Sequence, residues 1–232
     1  MASDTREHTG AVIVAAGRSE RMGGADKLWA PLAAATGRTR PLLALSIAAF
    51  EACAAIDRIV LVVTPDVTER AEALVREEAF SKVEAVVAGG ARRQDSVRAG
   101  LDALTPCAWV AVHDGARPLV TPELIERGLD AARETGASCC AVRVADTVKE
   151  SKGDYAARTL DRAHLWLAQT PQVFRYDLLL DAHKRCTSDA TDDASMLEAL
   201  GVKVRLYEGS ARNLKVTTQE DLALVQALLG QP

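Results

Sequence analysis

From Ala11 to Val144 the chain repeats one pattern: an apolar run of strand length, then a longer stretch with helical spacing. Few folds accept that alternation, because each run must pair beside its neighbours while the connecting helix packs back onto the sheet. The runs are Ala11 to Ala16, Arg58 to Val63, Val83 to Ala88, Trp109 to His113 and Ser138 to Val144. They are near-continuous stretches of Val, Ile and Ala, as expected of strands buried on both faces. Helices are predicted over Pro41 to Phe50, where Leu43, Ile47 and Phe50 share a face, and over Thr68 to Phe80, Gln94 to Leu104 and Pro122 to Thr135. The pattern predicts an α/β fold with a mostly parallel open sheet and helices on both faces. Ligands of such sheets bind at the carboxyl ends of the strands.

After Val144 the alternation breaks. The segment Asp146 to Leu160 carries a turn signal, Ser151-Lys152-Gly153-Asp154, between two polar, extended stretches. This predicts a β-arm protruding from the sheet, and a protruding arm calls for a partner. Helices follow at Tyr176 to Cys186 and Asp192 to Leu200, then a strand at Lys203 to Tyr207 and a closing helix at Thr218 to Leu229. No linker divides the 232 residues, so a single domain over 1–232 is expected, with the arm at about 146–162.

The charge balance excludes several functions. Lys and Arg number 28 against 32 Asp and Glu, a net charge of −4, without the cationic surplus of a nonspecific nucleic-acid or membrane-surface binder. Any anion site is therefore local. Apolar residues at 48% and charged ones at 26% suit a folded chain rather than a disordered one. No apolar run approaches the roughly 20 residues needed to cross a bilayer. Met1 to Gly10 lacks the basic-then-apolar order of a signal peptide, so a cytoplasmic protein is expected. The five cysteines, Cys53, Cys107, Cys139, Cys140 and Cys186, show no Cys-x-x-Cys spacing and are read as small core residues in a reducing compartment.

The first strand runs directly into Ala15-Ala16-Gly17-Arg18-Ser19-Glu20-Arg21-Met22-Gly23-Gly24-Ala25-Asp26-Lys27. Glycines let backbone amides approach a phosphate, and Arg18, Arg21 and Lys27 can neutralise its oxygens. The loop is neither a P-loop nor a dinucleotide fingerprint, since Ser19 stands where a second glycine would be. A solvated basic turn is the competing reading. The loop resembles the Ala-Ala-Gly-x-x-x-Arg-Met signature, followed by lysine, of nucleotidyltransferases that join a sugar or polyol phosphate to a nucleotide.

Further motifs follow in order: Gly89-Gly90-x3-Gln94-Asp95-Ser96-Val97, His113-Asp114-Gly115-Ala116-Arg117-Pro118, Asp146-Thr147-Val148-Lys149, Gln169-Thr170-Pro171-Gln172-Val173-Phe174, Thr191-Asp192-Asp193-Ala194 and Asn213-Leu214-Lys215-Val216-Thr217. As a set they resemble the 2-C-methyl-D-erythritol 4-phosphate cytidylyltransferase family, over Ala11 to Leu229. The resemblance implies a Rossmann-like sheet of the nucleotide-diphospho-sugar transferase type. It also implies transfer of a cytidylyl group from CTP to the polyol phosphate with release of pyrophosphate, in non-mevalonate isoprenoid synthesis.

What the resemblance implies for residues is specific. Arg21, Lys27, Arg162 and Lys215 would be catalytic; Ala15, Ala16, Gly17, Arg18, Gly90, Asp95, Ser96 and Asp114 would bind the nucleotide, Ser96 through the cytosine. Arg117, Thr147, Thr170, Arg162 and Lys215 would orient the acceptor, and Asp114 would hold Mg²⁺ or another divalent cation. The arms would interlock across a homodimer, with Arg162 reaching the partner's site. Structural alternatives stand beside these roles: a turn aspartate for Asp114, an ion pair with a nearby acid for Arg117, a helix N-cap for Asp95 or Ser96. His113 reads as a core histidine, and Thr191-Asp192-Asp193 as a helix cap. Asp26 departs from the family by adding a carboxylate to the phosphate loop, and Gly115 replaces a common alanine. The chain ends at Pro232, so no fused cyclodiphosphate synthase domain is expected. Ribitol phosphate or another polyol phosphate is an alternative acceptor. A catalytically silent nucleotide-binding protein is a third reading, disfavoured because Arg21, Lys27, Asp114 and Lys215 are all kept.

Overall fold

A computed structural model describes residues 7–17, 27–33 and 37–230. In chain order its elements are β1 (Thr9–Ala15), β2 (Pro31–Ala33), β3 (Thr39–Pro41), α1 (Leu42–Ala52), β4 (Arg58–Val63), α2 (Thr68–Glu77), β5 (Val83–Ala88), α3 (Arg93–Ala103), β6 (Trp109–Asp114), α4 (Pro122–Ala132) and β7 (Ala137–Arg143). Then come β8 (Lys149–Lys152), β9 (Tyr155–Thr159), β10 (Trp166–Arg175), α5 (Tyr176–Arg185), α6 (Asp193–Ala199), β11 (Arg205–Glu208) and α7 (Gln219–Leu229).

Seven strands form one sheet in the order β11-β7-β10-β6-β1-β4-β5. Six run parallel, and β10 lies antiparallel between β6 and β7. The chain builds outward from β1 through β4 to β5, then returns to the other side of β1 with β6. That reversal is a topological switch point, where the carboxyl ends of neighbouring strands part to leave a crevice.

The apolar runs are strands because both of their faces are covered. Ala11, Ile13 and Ala15 of β1 pack into one cluster with Leu43, Ile47 and Phe50 of α1 and Leu124 and Ile125 of α4. Val12 faces the opposite cluster, with Val60, Val62, Val97, Leu101 and Leu179. Each such buried aliphatic or aromatic side chain stabilises the fold by roughly 1.5–3 kcal/mol. Among the described residues no helix is long and apolar enough to cross a membrane.

Two expectations need correction. The helix predicted to reach Phe80 ends at Glu77, and the stretch preceding α5, read only as a motif, is the ten-residue strand β10. Its register against β7 shifts between Ala168 and Gln172, a bulge that lets Pro171 sit inside a central strand without removing a ladder donor. The predicted arm is present as β8 and β9, joined by Gly153-Asp154, with Gly153 at the left-handed φ of +58° that such a tight turn favours. Every residue of β8 and β9 is exposed, and the pair forms a two-stranded sheet of its own.

Candidate active site

A cavity of about 1090 Å³ opens at the carboxyl ends of β1, β4 and β6. Its wall includes Ala15 at the end of β1, Ala16 and Gly17 beyond it, Lys27, Gly90 and Ser96, Asp114, and Lys215. These five separate stretches of the sequence thus meet at the switch point. A smaller hollow of about 610 Å³ lies at the amino ends of the strands, lined in part by Trp109, Gly136 and Tyr176.

The β6 end positions the chemistry. Asp114 is the strand's last residue, and its N–H donates to Thr170 Oγ1 at 3.0 Å. The chain turns at once, Arg117 N–H returning to the Asp114 carbonyl at 3.0 Å. Val216 N–H donates to the Ala116 carbonyl at 2.9 Å, which sets Lys215 beside the turn. Three cations then surround one carboxylate: Lys215 Nζ at 2.9 Å and Arg117 Nε at 3.6 Å from Oδ2, and Arg93 Nε at 3.3 Å from Oδ1. Burial would raise the Asp114 pKa, but Arg93, Lys215 and Arg117 outweigh it and hold the carboxyl well below its usual range. The net charge of this cluster is positive on a chain of net charge −4, a local concentration of cations.

A carboxylate offers about four lone-pair sites, and the hydrogen bonds from Arg93 and Lys215 use two of them. The remaining lone pairs leave one Asp114 oxygen for a divalent cation, whose repulsion by the three neighbouring cations the anionic nucleotide phosphates would have to offset. Among the described residues no three Asp, Glu, His or Cys side chains come together as a metal cage.

His113 is fully buried, and burial pushes its pKa down to about 4. Its Nε2 faces the Arg117 carbonyl at 3.2 Å, an acceptor only, so the neutral ring carries its proton there. Nδ1 then accepts from the Thr170 hydroxyl at 3.1 Å. Thr170, itself buried, is thus engaged behind Asp114 by both His113 and the Asp114 amide. Arg117 is also turned inward, its Nη1 donating to the Asn213 carbonyl at 2.8 Å. The ion pair with a nearby acid, weighed for Arg117 from sequence, is present.

Also lining the cavity, Gly89 and Gly90 approach their neighbours closely. A Cβ on Gly89 would lie 2.4 Å from the Ala16 Cβ and 2.6 Å from Ser96 Oγ. The Ser96 hydroxyl accepts from Gly90 N–H at 3.1 Å and donates to the Arg92 carbonyl at 3.2 Å, keeping one lone pair for another donor. Asp95 turns away: its carboxylate takes the Arg92 backbone N–H at 3.1 Å and the Arg92 guanidinium at 2.7 Å.

Not every residue singled out from the sequence reaches the cavity. Ala15, Ala16, Gly17, Lys27, Gly90, Ser96, Asp114 and Lys215 line it, whereas Asp95, Arg117, Thr147, Thr170 and Arg162 do not. Thr147 is exposed at the foot of the arm, and the Arg162 guanidinium donates to the Ala145 carbonyl there. Arg18, Arg21, Ser19 and Asp26 lie outside the described residues. The lining residues that escaped the sequence reading include Arg93, at the start of α3, and Trp29, whose ring stacks under the Arg70 guanidinium at 4.0 Å. Arg93 sits in the Gly-Gly-x3-Gln motif, but its partners Asp114 and Asp193 are distant in sequence.

A mostly parallel α/β sheet with a lysine-bearing cavity and small-residue loops at its switch point fits a nucleotide-handling transferase. Comparison narrows the class. A family model for 2-C-methyl-D-erythritol 4-phosphate cytidylyltransferase matches residues 9–231. The chain is 46% identical over 224 residues to the enzyme of that name from Dehalococcoides mccartyi strain CBDB1, with 96% of each chain covered. It superimposes on 4-diphosphocytidyl-2C-methyl-D-erythritol synthase from Anaerococcus prevotii with a TM-score of 0.81 at 29% identity, covering 97% of both chains. Against 2-C-methyl-D-erythritol 4-phosphate cytidylyltransferase from Thermus thermophilus the TM-score is 0.76 at 33% identity, covering 94% of this chain and 96% of that one. The chain belongs to the 2-C-methyl-D-erythritol 4-phosphate cytidylyltransferase family.

Proposed function

We infer that this chain transfers the cytidylyl group of CTP to 2-C-methyl-D-erythritol 4-phosphate, giving 4-diphosphocytidyl-2-C-methyl-D-erythritol and pyrophosphate, and that it works in the cytoplasm. Beside family membership, the observation that carries the reading is the meeting of Lys27, Asp114 and Lys215 with Ser96 and Gly90 around one cavity.

A phosphate oxygen of the acceptor attacks the α-phosphorus of CTP. The new P–O bond forms as the bond to the bridging oxygen breaks, and pyrophosphate leaves with that electron pair. Charge builds on the phosphoryl oxygens, so fixed cations at the cavity wall lower the barrier by acting where it develops. Lys27, Lys215 and Arg93 are such groups, and Arg21 is assigned to the same role. A phosphate nucleophile is ionised near neutral pH and needs no general base, in keeping with a His113 that burial holds neutral.

Asp114 would hold Mg²⁺, which when bound neutralises nucleotide phosphate charge and takes its other ligands from those phosphates and water. Ser96, with its hydroxyl fixed between Gly90 and Arg92, would read the cytosine edge with the neighbouring backbone. Thr147 and Arg162 would serve the acceptor, Arg162 from the partner subunit of a homodimer built on the arm. Support for this is the exposed hairpin itself, since an isolated two-stranded sheet is marginal in water.

Pyrophosphate release tests the reading. CTP with methylerythritol phosphate should turn over, and UTP should be poor because an unpaired polar edge costs about 1–3 kcal/mol. Equal rates with CTP and UTP would remove the base-reading assignment, and a higher rate with ribitol phosphate would replace the acceptor.

A further inference from the structure

Arg93 joins two carboxylates that differ sharply in exposure to the cavity. Its Nε donates to Asp114 Oδ1 at 3.3 Å and its Nη1 to Asp193 Oδ2 at 2.7 Å. Asp114 lines the cavity, whereas Asp193 is fully buried at the start of α6. The other oxygen of Asp193 faces Nε2 of His183, on α5, at 3.3 Å, and that side chain is only 3% exposed.

Helix capping does not account for Asp193. The N-cap of α6 is Asp192, whose Oδ1 accepts from Ser195 N–H at 2.9 Å. A buried carboxylate is costly unless it is fully paired, and an apolar residue at such a place is often no less stable. Here Arg93 and His183 overcome burial and keep Asp193 ionised. What the pairing yields is geometric. With its fork divided between two carboxylates, Arg93 cannot collapse onto Asp114 as a bidentate pair, an arrangement that would take up lone pairs facing the cavity.

We propose that Asp193 and His183 are positioning residues for the transfer reaction: together they hold Arg93, and through it the Asp114 carboxylate, in one orientation at the cavity wall. The proposal rests on the transferase reading for its kinetic consequence but not for its geometry. Asparagine at 193 has one oxygen and one NH₂ group where two donors converge, so either Arg93 or His183 loses its acceptor.

Two measurements on the full-length protein test this. The Arg93 Nε–H resonance, identified in a ¹H–¹⁵N spectrum by its loss in Arg93→Lys, should move in both Asp114→Asn and Asp193→Asn. An unmoved peak in Asp193→Asn overturns the proposal whatever the substrate. In turnover assays well below each variant's Tm, Asp193→Asn and His183→Leu should lower kcat roughly 10- to 100-fold, the range seen when partners that orient a site's ligand are removed. KM for the acceptor should stay within about twofold of wild type, because uniform binding is untouched. His183→Gln, whose amide N–H reaches the Nε2 position, should restore most of the rate. A lowered Tm with wild-type kcat would show that Asp193 only anchors α6, and would also overturn the proposal. If the wild-type protein fails to turn over CTP while the Arg93 peak still moves with Asp193→Asn, the substrate reading fails and the linkage stands.

Discussion

Replacing Asp114 with asparagine keeps the shape of the side chain and removes the one negative charge among three cations. The consequence follows from what each cation has left. Lys215, with a side chain 41% exposed, regains water, and Arg93 retains Asp193 at 2.7 Å. Arg117 has no such recourse: its residue is 8% exposed, its buried Nε has no hydrogen-bond partner, and Nη1 to the Asn213 carbonyl is its remaining hydrogen bond. The cost is therefore dominated by one uncompensated buried guanidinium. That is about 3 kcal/mol, the low end of what breaking a buried pair from one side costs. For a chain of this length the corresponding fall in Tm is about 6–12 °C. The sign with pH is equally defined. Asp114 has its folded pKa held below the unfolded value, so its contribution is fully present above the ordinary carboxylate range and is lost as pH falls toward the depressed folded value. Thermal unfolding of wild type and Asp114→Asn should show a constant gap from pH 7 to pH 5 that narrows in more acid solution. A Tm within about 2 °C of wild type at pH 7, or a gap that widens on acidification, would refute the reasoning.

Two other outcomes are expected. Lys27→Ala should lower kcat about 100-fold or more while leaving acceptor binding nearly unchanged, since a cation aimed at developing charge acts in the transition state; steady-state kinetics with normal turnover would contradict it. Lys27→Ala and Arg162→Ala subunits, unfolded and refolded together, should regain activity in about a quarter of all sites, because half the dimers are mixed and one site in each has both groups. Activity that stays at the parental level would place Arg162 in its own subunit's site.

Legibility from sequence follows burial. Arg58–Val63 is legible as a strand residue for residue, because strands of a parallel sheet covered on both sides have continuous apolar runs, and the edge strand Val83–Ala88 keeps enough of that signature despite Glu84. Strand β10 fails that test. Gln169, Thr170, Pro171 and Gln172 interrupt it, yet Gln169, Thr170 and Gln172 are buried. Their polar atoms serve partners no local pattern can announce: Thr170 joins His113 and the Asp114 amide, and Gln172 joins Asp192 and the amide of Ala194. A strand built to hold side chains behind a site cannot also display the apolar signature of a strand.

The same conflict hides Asp193. Two successive aspartates at a helix start read as capping, and one of them, Asp192, does cap α6. Yet one N-cap needs one acceptor side chain, so the sequence by itself already leaves the second aspartate surplus to capping. What sequence cannot supply is its partner, since Arg93 stands a hundred residues earlier, on another helix. The motifs, in order, point to the family and to the residues its likeness assigns. Only the fold shows that Thr170 and Arg117 contact Asp114 from behind, and that Asp193 is joined to it through Arg93, while Lys27, Ser96 and Lys215 line the cavity themselves.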